Sequence, residues 1–163
     1  MNAQTPFHAA QTLPAAPFRL TFSAREIANW ALAHLATPNS FGGRSGSGTL
    51  DTVGHLMAVA ACVCQPLELD PHWCRDGGTL PFQEIPLDQA SVGDILVFDM
   101  NRAPGWQDGW PWSAGILTDG AGVDSATARL CHAWHGHACT LSWLKPYWRP
   151  HLVRAHRFDR KTA

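Results

Sequence analysis

Gly48-Thr49-Leu50-Asp51-Thr52-Val53-Gly54-His55-Leu56-Met57 carries the chain out of a glycine-rich loop and into a helix. From Val53 onward, Val53, Leu56, Met57, Ala60, Ala61 and Cys64 recur at the i, i+3, i+4, i+7 spacing of a buried helical face. Pro66 closes the run. Thr52 therefore falls at the N-terminus of this helix. The loop before it, 38–49, contains Gly42, Gly43, Gly46 and Gly48. No Gly-Lys-Ser/Thr follows, so the glycines do not form a phosphate loop.

An earlier helix starts at Ser23. Ser23 with Glu26 three residues on forms a capping box, and Ile27, Trp30, Ala31 and Leu35 share one face. Pro38 is expected to stop it. Beyond the Thr52 helix the pattern changes. Residues 66–90 are rich in Pro and Gly and read as irregular. Asp94–Phe98, Ala114–Thr118, Leu130–Trp134, Ala138–Ser142 and Leu152–Phe158 read as strands. Asp119-Gly120 marks a turn, and Gly136 lies inside a hairpin. Helices first and strands afterwards predict an α+β domain with its N-terminal helices packed on an antiparallel sheet. It is expected to span 22–158, after an extended arm over 1–21 and before a short tail, 159–163.

Composition narrows the function. A chain of 163 residues fits one domain, and 45% apolar residues suffice for a core. Net charge is -1, which implies no steering toward nucleic acid or an anionic membrane. No apolar stretch is long enough to span a bilayer. The first twenty residues lack the basic and apolar regions of a signal peptide, so synthesis in the cytoplasm is expected. Five cysteines, an odd number, do not suggest a disulfide framework. Charged residues are only 15%, while Trp occurs eight times, a balance suited to partner contacts.

Four segments in order, Asp51-Thr52-Val53-Gly54, Val92-Gly93-Asp94-Ile95-Leu96-Val97-Phe98, Ser113-Ala114-Gly115-Ile116 and Cys131-His132-Ala133-Trp134, resemble the NlpC/P60 cysteine-peptidase family. The likeness covers roughly residues 22–158 and is greatest for the phage-tail and gene-transfer-agent branch of cell-wall peptidases. It implies a papain-like fold and a catalytic triad: a thiolate at a helix N-terminus, a base His on the next strand, and a polar residue to orient it. By position these roles fall on Thr52, Ser113 and His132. Only His132 keeps its expected type. A Thr hydroxyl is too weakly acidic to ionise near neutrality, and Ser113 cannot serve as its base.

Other residues offer competing chemistry. His55, one turn from Thr52, could approach the site. Cys62 and Cys64 are possible thiols but sit in the apolar helix. Cys131, His132, His135, His137 and Cys139 are five metal-type side chains within nine residues, yet their spacing matches no structural-zinc pattern. No metal or other cofactor is therefore expected. Trp106, Trp110 and Trp112 lie in one Pro- and Gly-bounded loop, and they are the expected anchors to a partner.

These readings predict a structural component of a phage or phage-like tail tip or baseplate. Its partners would be other tail proteins, with peptidoglycan as a second candidate. Its location would be the virion. The alternatives are an active cell-wall amide hydrolase with an unusual nucleophile, and a non-catalytic binder of peptidoglycan peptide.

Overall fold

The computed structural model describes residues 22–40, 43, 48–63, 69, 72–76, 82–106, 111–133 and 137–158. The expected arm and tail, Cys64, Trp110 and His135 lie outside these residues.

Helix α1 spans Ala24–Ala33, and its capping box forms as the sequence predicts. The Glu26 amide donates to Ser23 Oγ, while the Glu26 carboxylate accepts from the Ser23 amide. The helix ends five residues before Pro38, which corrects the expected boundary. The chain leaves it through a tight turn with Ala36 at φ 66°, and the Ala36 amide donates to the carbonyl of Cys139. Pairing with the sheet thus takes the backbone before proline can. Leu35 is consequently exposed, as is Trp30, and Ala28 joins Ile27 and Ala31 in the buried stripe.

Helix α2 spans Thr52–Val63 and is buried on more than one face: Val53 to Leu56 and Ala58 to Ala60 are all inaccessible, whereas Ala61, expected inside, is exposed. Asp51 caps it by accepting from the Gly54 amide at 2.6 Å. Gly54 is needed for a close approach, because a Cβ there would run into the carbonyl oxygen of Gly43.

The segment expected to be irregular contains a short helix, α3 (Trp73–Asp76), and a strand, β1 (Phe82–Ile85). Pro81 and Pro86 flank β1, which hid it in the sequence. It is an edge strand paired only with the last strand, a place where prolines are tolerated. The other strands are β2 (Ile95–Asp99), β3 (Trp112–Asp119), β4 (Arg129–Ala133), β5 (Cys139–Trp143) and β6 (Leu152–Phe158). The sheet is antiparallel with order β1-β6-β2-β3-β4-β5.

The sheet separates two cores. On one face Ile95, Val97, Ala114, Ile116, Cys131 and Cys139 meet Ile27, Ala31, Val53, Leu56 and Val59 of the helices. On the other, Leu96, Phe98, Leu117 and Leu130 meet Leu144 and Trp148 from the short helical turns over 144–151. Asp94, fully buried before β2, accepts two hydrogen bonds from Arg157 at 2.8 and 2.7 Å, and one from the Ser91 amide. This pair ties the β2 entrance to β6. Among the described residues no helix is long and apolar enough to cross a membrane.

Candidate functional site

Thr52 is the first residue of α2, immediately after its Asp51 cap. Its Oγ1 donates to the carbonyl of Ala133, the last residue of β4, at 3.3 Å. Ser113, on β3, is 2% exposed and lies opposite Phe98 of β2. Strand alternation puts Ser113 on the face of Gly115 and Leu117. Gly115 stands opposite His132 on β4, so Ser113 and His132 are diagonal neighbours on one face of adjacent strands. Gly115 leaves the room for this: a Cβ there would strike His132 Cβ and the carbonyl of Cys131. The start of β3 and the end of β4 lie at the same end of the sheet. Thr52 reaches that end from the helical side, while Ser113 and His132 belong to the opposite face.

His132 is fully buried. Its ring lies 4.4 Å, edge to face, from Trp148, and its Nε2 meets Ser142 Oγ at 2.9 Å. Burial, reinforced by the nearby His55, pushes its pKa down to about 3. The imidazole is therefore neutral at physiological pH. Sequence reading missed Trp148 and Ser142 as its surroundings. The hairpin register held the signal for Ser142: His132 faces Thr140, which makes Ser142 its diagonal neighbour.

The remaining candidates separate. His55 faces Cys131 and His34 inside the helical core. It is fully buried, with Nε2 4.0 Å from Cys131 Sγ and its ring edge-on to His34. Cys62 is half-buried, and burial raises its thiol pKa, the opposite of nucleophile activation. The nine-residue metal-type cluster is split by alternation, with Cys131 and Cys139 on the helical face and His132 on the other.

Trp106 and Trp112 do not share an environment. Trp106 is half-buried on the second core, 6.2 Å edge to face from Trp148. Trp112, also half-buried, packs against the helical core with the Arg154 guanidinium 5.7 Å over its ring. Trp30 and Trp143 are the exposed tryptophans among the described residues, at 43% and 52%, and Arg129 stacks on Trp143.

No protein-family model matches the chain, and no curated protein does. Solved structures do. A lipoprotein-like NLP/P60 family protein of Staphylococcus aureus superposes with TM-score 0.59 at 23% identity, over 88% of this chain and 44% of that one. An NlpC/P60 family protein of Bacillus cereus gives 0.61 at 16%, over 86% and 41%. The NlpC/P60 domain of the peptidoglycan hydrolase SagA gives 0.56 at 19%, over 82% and 97%. The chain spans under half the length of the Staphylococcus and Bacillus proteins, but nearly all of the isolated SagA domain. The fold is thus the papain-like α+β fold of NlpC/P60 domains.

Proposed function

We propose that this chain is a structural component of a phage or phage-like tail tip, built on a peptidoglycan-peptidase frame that no longer hydrolyses. The observation that carries the reading is the state of Thr52. It begins α2, where the resemblance puts a nucleophilic thiol, and its hydroxyl donates to a backbone carbonyl. A carbonyl cannot take the proton away, and Ser113, in the base position, has no group that accepts one near neutrality. The neutral His132 beside Trp148 suits packing as well as it suits orienting a base.

The tail-tip role draws on the low charge and on the exposed Trp30 and Trp143, which supply aromatic surface for neighbouring proteins. SagA is a peptidoglycan hydrolase by name, and cell-wall peptide is accordingly the substrate class to test. Purified chain incubated with peptidoglycan is expected to release no new amino groups above a buffer blank. Release that disappears in Thr52→Ala overturns the reading in favour of an enzyme with an unusual nucleophile.

A further inference from the structure

On the helical face of the sheet, four metal-type side chains from four separate segments come together. Cys131 of β4 and Cys139 of β5 are diagonal across the hairpin, with their sulfurs 4.0 Å apart. His55 of α2 brings Nε2 to 4.0 Å from Cys131 Sγ. One ligand atom from each of the three lies within 4.8 Å of the others, and all three residues are buried. His34, just after α1, sits at the rim with its ring 5.7 Å from that of His55. Its Nδ1 is engaged by the Trp30 carbonyl at 2.9 Å, which fixes the tautomer and leaves Nε2 as a lone-pair donor. Metal-binding histidines commonly have their second nitrogen held in this way.

We propose that His55, Cys131 and Cys139 hold a soft divalent cation, zinc first among them, with His34 in the fourth position. Two thiolates and two imidazoles are a common structural-zinc set. Zinc–sulfur and zinc–nitrogen bonds of about 2.3 and 2.0 Å at tetrahedral angles place neighbouring ligand atoms about 3.3–3.8 Å apart. The three buried ligands are already close to that spacing, and a small inward movement closes it. His55 Nδ1 is buried without a hydrogen-bond partner among the described residues, so the ring finds little compensation apart from what Nε2 binds. The cation would cross-link α1, α2 and the β4–β5 hairpin, a structural role independent of hydrolysis. The site was hidden in the sequence because His55 lies 76 residues from Cys131.

The test uses the whole chain, purified in reductant. Elemental analysis is expected to find about one zinc per chain, and cobalt substitution to give thiolate charge-transfer absorption with tetrahedral ligand-field bands. His34→Ala changes a half-buried rim residue and so keeps the fold; it is expected to weaken zinc binding about tenfold or more. Cys131→Ser, which leaves one thiolate of the two, should at least halve the cobalt charge-transfer absorption, whereas Cys62→Ser should leave it intact. Reduced wild-type chain that takes up neither zinc nor cobalt overturns the proposal, even if Cys131→Ser does not fold. So does a native mass showing Cys131 and Cys139 joined in a disulfide. Unchanged zinc affinity in His34→Ala overturns the four-ligand set.

Discussion

The Thr52 hydroxyl donates to the carbonyl of Ala133 at 3.3 Å, which joins the first residue of α2 to the last residue of β4. That bond puts the helix N-terminus at the end of the sheet where β3 begins, and where Ser113 and His132 share a face. Thr52 comes to that end from the helical side, so the helix residue and the two strand residues share an end of the sheet but not a face.

The frame can be tested by refitting it. Thr52→Cys with Ser113→His is expected to gain slight hydrolysis of peptidoglycan peptide, while either change alone gains none, because nucleophile and base act as a unit. Amine release by the four proteins, side by side, checks this. A double variant as inert as its parent would mean that the surrounding groups have drifted too far to support catalysis.

Arg157→Leu is expected to destabilise the fold by about 3 kcal/mol, the lower end of the range for breaking a buried ion pair, since the guanidinium is partly solvated. Asp94 would stay buried with its charge uncompensated by the bidentate partner. The denaturant midpoint is the measurement. A shift below about 1 kcal/mol, the scale of an exposed pair, would show that water replaces the arginine at little cost.

Acid should weaken the fold through His156. The residue is buried beside Trp73, and neither ring nitrogen has a hydrogen-bond partner among the described residues. Burial lowers its pKa below 6.5; Arg154 acts the same way and Glu84 opposes. Between the lowered folded value and 6.5 the unfolded chain binds more protons, so stability falls as pH drops below 6.5. His156→Phe is expected to flatten that dependence. Equal losses of melting temperature in both proteins, between about pH 7 and 5.5, would assign the effect elsewhere.

Gly54→Ala should cost roughly 1–3 kcal/mol, the usual penalty of overpacking, despite alanine's better helix propensity. The added methyl meets the rigid backbone of Gly43, so the loop must move away from α2. Thermal unfolding tests it, and an unchanged melting temperature would mean that the loop yields freely.

Trp106→Ala removes an edge-to-face contact with Trp148, worth about 0.5–1.5 kcal/mol beyond the buried area. The domain should remain folded, while under the proposed tail-tip role Trp106→Ala combined with Trp110→Ala should lower incorporation into the particle. Normal incorporation of the double variant would reduce the loop to local packing.

Local signals were legible in the sequence. The Ser23–Glu26 box and the apolar run after Thr52 each reflect interactions within a few residues, and each formed its element. The ending of α1 and the existence of β1 were decided by partners far along the chain. Cys139 captures the Ala36 amide, and β6 supplies the ladder for a four-residue strand between prolines. The site divides in the same way. The identities of Thr52, Ser113 and His132 are a matter of sequence. Which way the side chains point was set by pleat and register, so that adjacent residues of β4 serve opposite cores: Cys131 meets His55, and His132 meets Trp148. A linear pattern of cysteines and histidines cannot express that division. Proximity across a sheet depends on strand pairing, and strand pairing is fixed only when the whole chain packs.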